Sequence, residues 1–525
     1  MKNYKFLAIS LLALGIVSCE PDLDNPIDEV GSAYTNGEAD FTHYVALGNS
    51  LTAGYADNAL YMEGQKKSYP NILAGQLALT QKTDEFTIPY MNDNSGGLLL
   101  NGTQIQQNRL VLTNENGSPS PKVYTGKAPT TDITNVLEGP FSNMGVPGAK
   151  SYHLGLPGYG NIARVTTGMA NPYFVRFASS SETNVMADAM AQNPTFFSLW
   201  IGNNDVLGYA TSGGVGVNQT GNLDPNTYGS NDITDPDVFA NVYSDMVQTL
   251  VSNGAKGVLL NIPDVTSIAF FNTVPNNALQ LDAQTAASLT SYFGAVSQVF
   301  AGGLMAQGVS QEQAMALAAQ YAITFNEGPN RFIIDVPVTQ DNPLGFRQMT
   351  ADELIQLQVD QSALAGGYGS VNLTTEVQQV LGLLMSGGTP TPEQANILFG
   401  GVNGLDDADV LDSTEISEVR TATDAYNETI SAVANANGLA MVDTDTMLKQ
   451  LANGGISFDG GSVNAAYVTG GAFSLDGVHL TPRGYAIVAN KIIDAINAEY
   501  NSTVPKVNVG QYGTTTSSAL SDEVK

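Results

Sequence analysis

Four short apolar runs constrain the fold more than any other feature of this chain. FTHYVALG (41–48), TFFSLWIG (195–202), KGVLLNIPD (256–264) and GLAMVDT (438–444) are rich in β-branched or aromatic residues and bounded by turn residues, the pattern of strands buried on both faces. Helical spacing appears between and after them. DPDVFANVYSDMVQTLVSNGAKG opens on acidic residues, spaces its apolar residues helically and carries Gly254 near its end, so a helix here leads directly into the run at 256. The last helix is predicted to begin with Thr481 as N-cap and Pro482 in its first turn, with Tyr485, Val488, Ile492 and Ile496 on one face. Strand alternating with helix specifies an α/β chain whose mostly parallel sheet is covered on both faces.

The stretches between these strands are unequal. Residues 60–140 hold Gly/Asn-rich turns and a predicted hairpin, RLVLTNENGSPSPKVYTG, with Asn116-Gly117 at its turn. Residues 265–435 read as largely helical, through QTAASLTSYFGAVSQVFAGGLMAQG, SQEQAMALAAQYA, TADELIQLQV, TTEVQQVLGLLMSGG and STEISEVRTATDAYNETISAVANANG. Both stretches are expected to be insertions into one domain spanning 41–500, followed by a tail over 501–525; a second domain within 265–435 is the alternative. Apolar stripes and methionines at 304–319 and 380–385 fit ordinary helix packing better than an acyl pocket.

Charge and cysteine usage narrow the partners. Fifty acidic against 20 basic residues give a formal charge of −30, a surface that repels phosphate backbones, so nucleic acid is not expected as a partner. The single cysteine, Cys19, excludes intrachain disulfides and Cys-rich metal centres. It follows MKNYK and the apolar stretch Phe6–Ser18, too short to span a bilayer of ~30 Å as a helix and built like a secretory signal. LGIVSC resembles a bacterial lipobox, which implies a signal peptide over 1–18, lipidation of Cys19, an acidic tether over 19–40 and a place in the bacterial cell envelope, outer-membrane, periplasmic or surface-exposed. The acidic runs GLDDADVLDSTE (404–415) and GSNDITDPD (229–237) lack the sixth-position glycine of an EF-hand and read as polar turns capping helices; no metal or cofactor is assigned.

GNSLTAG (48–54) places Ser50 directly after the first predicted strand. A nucleophilic serine needs a base in hydrogen-bond reach, a group to orient that base, and donors for the developing oxyanion. Only His43, His153 and His479 offer the base. His43 lies within the first predicted strand, and His153 follows a Gly-rich turn with no acid close by, whereas His479 in FSLDGVHLTPRGY follows Asp476 by three residues just before a capped helix. That spacing lets the carboxylate accept from Nδ1 while Nε2 faces a cleft. For the oxyanion, LWIGNNDVLGY presents Gly202, Asn203, Asn204 and Asp205 at the end of a buried strand, and SNMGVPGAKSY offers a backbone N–H from Gly145 or Gly148.

Together and in this order, GNSLTAG, NMGVPGA, IGNND and DGVH resemble the four sequence blocks of the SGNH hydrolases, also called GDSL esterases and lipases. The resemblance implies a three-layer α/β/α sandwich with a flavodoxin-like sheet. By position it implies Ser50 as nucleophile, His479 as general base and Asp476 as its orienting acid, with Ser50 N–H, Gly148 N–H and the Asn204 side chain as the oxyanion hole. Asn49 stands where the family name has Asp, and the intervals from Ser50 to Gly148 and from Asn204 to Asp476 exceed those of small members. The expected activity is hydrolysis of a carboxylic ester: an acetyl or short-chain ester, an acetylated glycan or a lipid. The alternative is a non-catalytic glycan-binding lipoprotein that retains the fold.

Overall fold

The computed structural model describes residues 33–115 and 118–514. The signal segment, Cys19, most of the tether, the Asn116-Gly117 turn and the end of the tail lie outside the described residues. The central layer is built, in chain order, from β1 (Tyr44–Gly48), α1 (Ser50–Ala53), α2 (Tyr69–Leu77), β2 (Asn143–Gly145), β3 (Phe196–Trp200), α3 (Asn204–Thr211), α4 (Pro236–Val251), β4 (Lys256–Leu260), α5 (Ser413–Asn437), β5 (Ala440–Val442) and α6 (Pro482–Tyr500). All five strands are parallel and lie in the order β5-β4-β3-β1-β2. Four of them are the apolar runs of the sequence. The fifth, β2, is only three residues long and falls within a stretch that reads as a Gly-rich turn.

Register explains where a site forms. Gly48 pairs with Gly145 on one side and with Trp200 on the other, so β1, β2 and β3 end level with one another. The chain order reverses direction at β1, and the loops after β1 and β3 diverge there, the place at the carboxyl edge where open α/β sheets carry their ligand sites. Every residue of β1 and β3 is buried, so both faces are covered. On one face α2 packs with α6: Tyr69 meets Trp200 edge-on, and Tyr500 meets Phe196. The Tyr500 hydroxyl also donates to the Gly257 carbonyl at 2.6 Å and accepts from Ala440 N–H at 3.2 Å, tying α6 to β4 and β5. A second group brings α4, α5 and α3 together, with Phe239 stacked on Tyr426 at 4.2 Å.

The caps follow the sequence. Thr481 accepts from Gly484 N–H at 3.0 Å and starts α6; Tyr485, Val488, Ile492 and Ile496 are all buried. Asp235 caps α4, and Asp412 caps α5 in a reciprocal box with Glu415, so the acidic runs at 229–237 and 404–415 spend these carboxylates on backbone N–H groups.

The inserted stretches divide differently from their sequence reading. Residues 60–140 contain two antiparallel hairpins, Leu98–Leu100 with Thr103–Gln106 and Leu110–Glu115 with Ser118–Val123. After β4, helices Ala283–Ala306, Gln311–Ala318, Thr375–Met385 and Pro392–Phe399 belong to a stretch with its own apolar clusters, one around Tyr292, Phe293 and Phe346 and one around Phe332, Ile355 and Leu405. The methionine-bearing helices pack through Leu289, Tyr292, Phe293 and Val296 in the first, Ala314 and Ala318 in the second and Val377 and Val380 in the third, while Met305, Met315 and Met385 stay exposed. TADELIQLQV is not a helix: Leu354–Ile355 pairs antiparallel with Val410–Leu411, and Glu353 is buried against Arg347 at 2.6 Å. Helix α5, grouped with the insertion by its helical pattern, instead buries Ile416, Val419, Tyr426 and Ile430 in the main core and leads into β5.

Candidate active site

The chain turns at the end of β1 in the least possible space. A Cβ on Gly48 would lie 2.3 Å from the Trp200 carbonyl oxygen and 2.2 Å from Thr52 Oγ1, so only glycine lets β1 bend into α1 beside β3. Asn49 then caps α1. Its Oδ1 accepts from Leu51 N–H at 3.0 Å, and its Nδ2 donates to Asn203 Oδ1 at 3.1 Å. An aspartate keeps the first of these bonds and makes the second only if the Asn203 amide turns to donate, because an ionised carboxylate has no proton to give. The amide thus ties the turn before Ser50 to the loop after β3, and Ser50 is left as the first helical residue, 7% exposed.

The second component comes from the loop before α6. A tight turn, with Gly477 at φ +72°, brings Asp476 back onto His479. Asp476 Oδ1 accepts from the N–H groups of Val478 (2.9 Å) and His479 (2.8 Å) and from Ser474 Oγ (3.0 Å); Oδ2 accepts from Asn58 N–H (2.9 Å) and lies 2.9 Å from His479 Nδ1. Burial alone pushes this carboxyl up. The His479 imidazole and the hydrogen bonds from His479 and Val478 outweigh burial and hold it well below the usual carboxylate range. An ionised Asp476 accepts the Nδ1 proton and leaves His479 Nε2 as an acceptor. That nitrogen is 2.8 Å from Ser50 Oγ. The Tyr55 ring packs on the imidazole at 4.6 Å and completes its orientation.

Donors for a negative charge lie on both sides of Ser50. The Ser50 N–H stands at the first turn of α1, where no intrahelical acceptor exists. Gly145 and Gly148 differ in their partners. Gly145 N–H donates to Asn143 Oδ1 at 3.0 Å, and a Cβ there would lie 2.3 Å from Ala53 N. Gly148, at φ +80°, donates its N–H to no acceptor among the described residues. Asn204 opens α3 and donates one amide hydrogen to the Ala149 carbonyl at 2.9 Å, which joins the loops after β2 and β3 and leaves its second hydrogen for another acceptor. Its neighbour Asp205 is fully buried and accepts from Ser151 N–H and Oγ at 2.9 and 2.7 Å, a framework contact.

The other histidines are elsewhere. His43 precedes β1, at the opposite end of that strand from Ser50, with Nδ1 2.8 Å from Asp84. His153 stacks on Tyr159 at 4.7 Å and accepts from Lys150 N–H at 3.1 Å; burial, helped by Lys150, lowers it to about 4 and keeps it neutral. Asp57 escapes any reading of the sequence. It is buried beside the Ser474–Asp476 loop, and burial raises it to about 6. Nothing local marks it, since the partners that tie it to the acid-bearing loop, Ser474 and Leu475, stand more than 400 positions away.

The inserted stretch reaches this loop as well. Phe270 N–H donates to the Gly477 carbonyl at 2.9 Å, and Leu357 closes over the same glycine. Among known proteins, no family model, curated protein or solved structure matches the chain. The site is therefore defined by its geometry: an α/β sheet with a serine, an imidazole and a carboxylate hydrogen-bonded in a row at its carboxyl edge. Such a row can pass the serine proton to the imidazole while the carboxylate steadies the cation formed.

Proposed function

We propose that this protein is a serine ester hydrolase of the SGNH type, held in the bacterial cell envelope by lipid on Cys19. The observation that carries the proposal is the unbroken row from Ser50 Oγ to His479 Nε2 (2.8 Å) and from His479 Nδ1 to Asp476 Oδ2 (2.9 Å). The strand order, which is that of flavodoxin-like sheets, and the four sequence blocks at its carboxyl edge support the family reading.

Ser50 Oγ attacks the ester carbonyl carbon as its proton passes to His479 Nε2. The oxyanion is met by the N–H groups of Ser50 and Gly148 and by the Asn204 amide. Collapse of the tetrahedral species expels the alkoxide, which takes the proton from His479. Water, deprotonated by the same nitrogen, then releases the acid from the acyl-enzyme. Asp476 stays ionised throughout and stabilises the imidazolium. The cycle draws only on these groups and water.

The substrate class is a carboxylic ester, with acetyl and short-chain esters, acetylated glycans and lipid esters as members. A series of p-nitrophenyl esters of increasing chain length, run beside acetylated xylan and lysophospholipid, tests the proposal. Rates that fall with chain length mark an acetylesterase, and rates that rise mark a lipase. Ser50→Ala is expected to reduce kcat on the best ester by at least about 10⁴-fold. Hydrolysis that Ser50→Ala leaves intact, or none on any member of the series, contradicts it.

A further inference from the structure

The turn that follows α1 is held in a backbone state that side chains rarely adopt. Asp57 and Asn58 are consecutive non-glycine residues with φ of +54° and +62°. Such residues persist only where their surroundings over-determine them. Here the surroundings are the acid–base loop. Asp57 N–H donates to Ser474 Oγ at 2.9 Å, and Asp57 Oδ1 accepts from Leu475 N–H at 3.1 Å. Asp57 Oδ2 accepts from the Tyr61 hydroxyl at 2.9 Å, and its carbonyl accepts from Leu110 N–H at 2.7 Å. Ser474 Oγ, so gripped, donates onward to Asp476 Oδ1, while Asn58 N–H donates to Asp476 Oδ2.

Resting on the hydrolase reading above, we propose that Asp57 is a positioning residue that staples the nucleophile's loop to the acid–base loop and keeps His479 Nε2 in reach of Ser50 Oγ. The left-handed turn serves this purpose, since it aims two successive N–H groups at Ser474 and Asp476. A carboxylate suits the position because it accepts from Leu475 and Tyr61 together and brings no hydrogen of its own. The ionisable groups facing it are Asp476, Tyr61, Tyr467, Tyr485 and Arg109, whose guanidinium lies over the Tyr61 ring at 5.0 Å. Near pH 6 Asp57 takes up a proton, and one of its two acceptor positions becomes a donor. The acid limb of the reaction therefore carries the Asp57 ionisation.

The test uses the full chain in wild-type, Asp57→Ala and Asp57→Asn forms. Three readouts are followed: fluorophosphonate acylation of Ser50 from pH 4.5 to 9, p-nitrophenyl acetate turnover, and solvent exchange of the His479 Nδ1 hydrogen in histidine-labelled protein. Asp57→Ala is expected to slow acylation and lower kcat by about 10–100-fold, leave KM within about twofold, and speed the Nδ1 exchange, with circular dichroism unchanged. Asp57→Asn, which preserves size and fold, is expected to lose the ionisation near pH 6 and decides the matter if Asp57→Ala does not fold. Wild-type rates, pH profile and exchange in both variants overturn the proposal. Faster Nδ1 exchange in Asp57→Ala, with a wild-type chain that never reacts at Ser50, upholds the positioning role and removes the hydrolase reading.

Discussion

At the scale of single residues, two buried aspartates share the Ser474 hydroxyl, and their carboxyls are driven in opposite directions. Ser474 Oγ accepts from Asp57 N–H and donates to Asp476, yet burial lifts Asp57 to about 6 while the His479 loop holds Asp476 far down. The consequence for stability has a definite sign. The folded chain binds the Asp57 proton more tightly than the unfolded chain, so stability falls as pH rises from 3.8 to about 6 and is level above. At about 1.4 kcal/mol per pH unit the loss is about 2–3 kcal/mol. Asp57→Asn removes it. Urea unfolding is expected to show the variant gaining on wild type between pH 4 and 6, by up to about 2–3 kcal/mol, even as its turnover suffers. A gap independent of pH is the contrary result. The residues proposed to do the chemistry were legible for a simple reason: with three histidines, one of them three after an aspartate and just before a helix cap, the choice was short. Asp57 was not legible, because its role is set by a hydroxyl and an amide contributed from positions 474 and 475.

At the scale of elements, the site depends on how closely α1 lies against β2. The contact is backbone on backbone, with Gly145 under Thr52 and Ala53. Gly145→Ala places a methyl 2.3 Å from Ala53 N, where no side chain can swing away. The shift of α1 is expected to cut kcat by about 100-fold and stability by about 1–3 kcal/mol, read from ester turnover and thermal unfolding. Gly148→Ala meets only Asn171 Nδ2 at 4.0 Å and pays instead for φ +80°, so its loss is expected to be about 1–2 kcal/mol without displacement of α1. The strands within apolar runs were readable from composition and the capped helices from periodicity. β2 was not, because its three residues stand in SNMGVPGAK with no apolar run around them, whereas the equally short β5 lies within GLAMVDT; TADELIQLQV has a helix-compatible composition that tertiary pairing with Val410–Leu411 overrides. Helix α5 looked like part of the insertion because sequence shows its amphipathic face and not which core receives that face.

At the scale of the whole molecule, insertion and charge surround a small reaction centre. The inserted stretch has apolar clusters of its own and yet touches the Asp476–His479 loop through Phe270 and Leu357, so on the proposed hydrolase reading its role is to shape access to the site rather than to perform the chemistry. A formal charge of −30 adds a second filter, since it repels anionic esters over distances set by the ~8 Å screening length of physiological salt. Raising sodium chloride from 20 to about 300 mM is expected to increase kcat/KM for an anionic ester several-fold and to leave a neutral ester of the same acyl group nearly unchanged. Equal salt responses contradict this. No described helix is long and apolar enough to cross a membrane. The central claim remains that Ser50 is a nucleophile activated by His479 and Asp476, and intact-mass analysis after fluorophosphonate treatment tests it most directly. The account predicts one adduct, mapped to Ser50, absent in Ser50→Ala and formed at least about 10³-fold more slowly in His479→Ala. No adduct on the wild-type chain, or an adduct that survives Ser50→Ala, contradicts it.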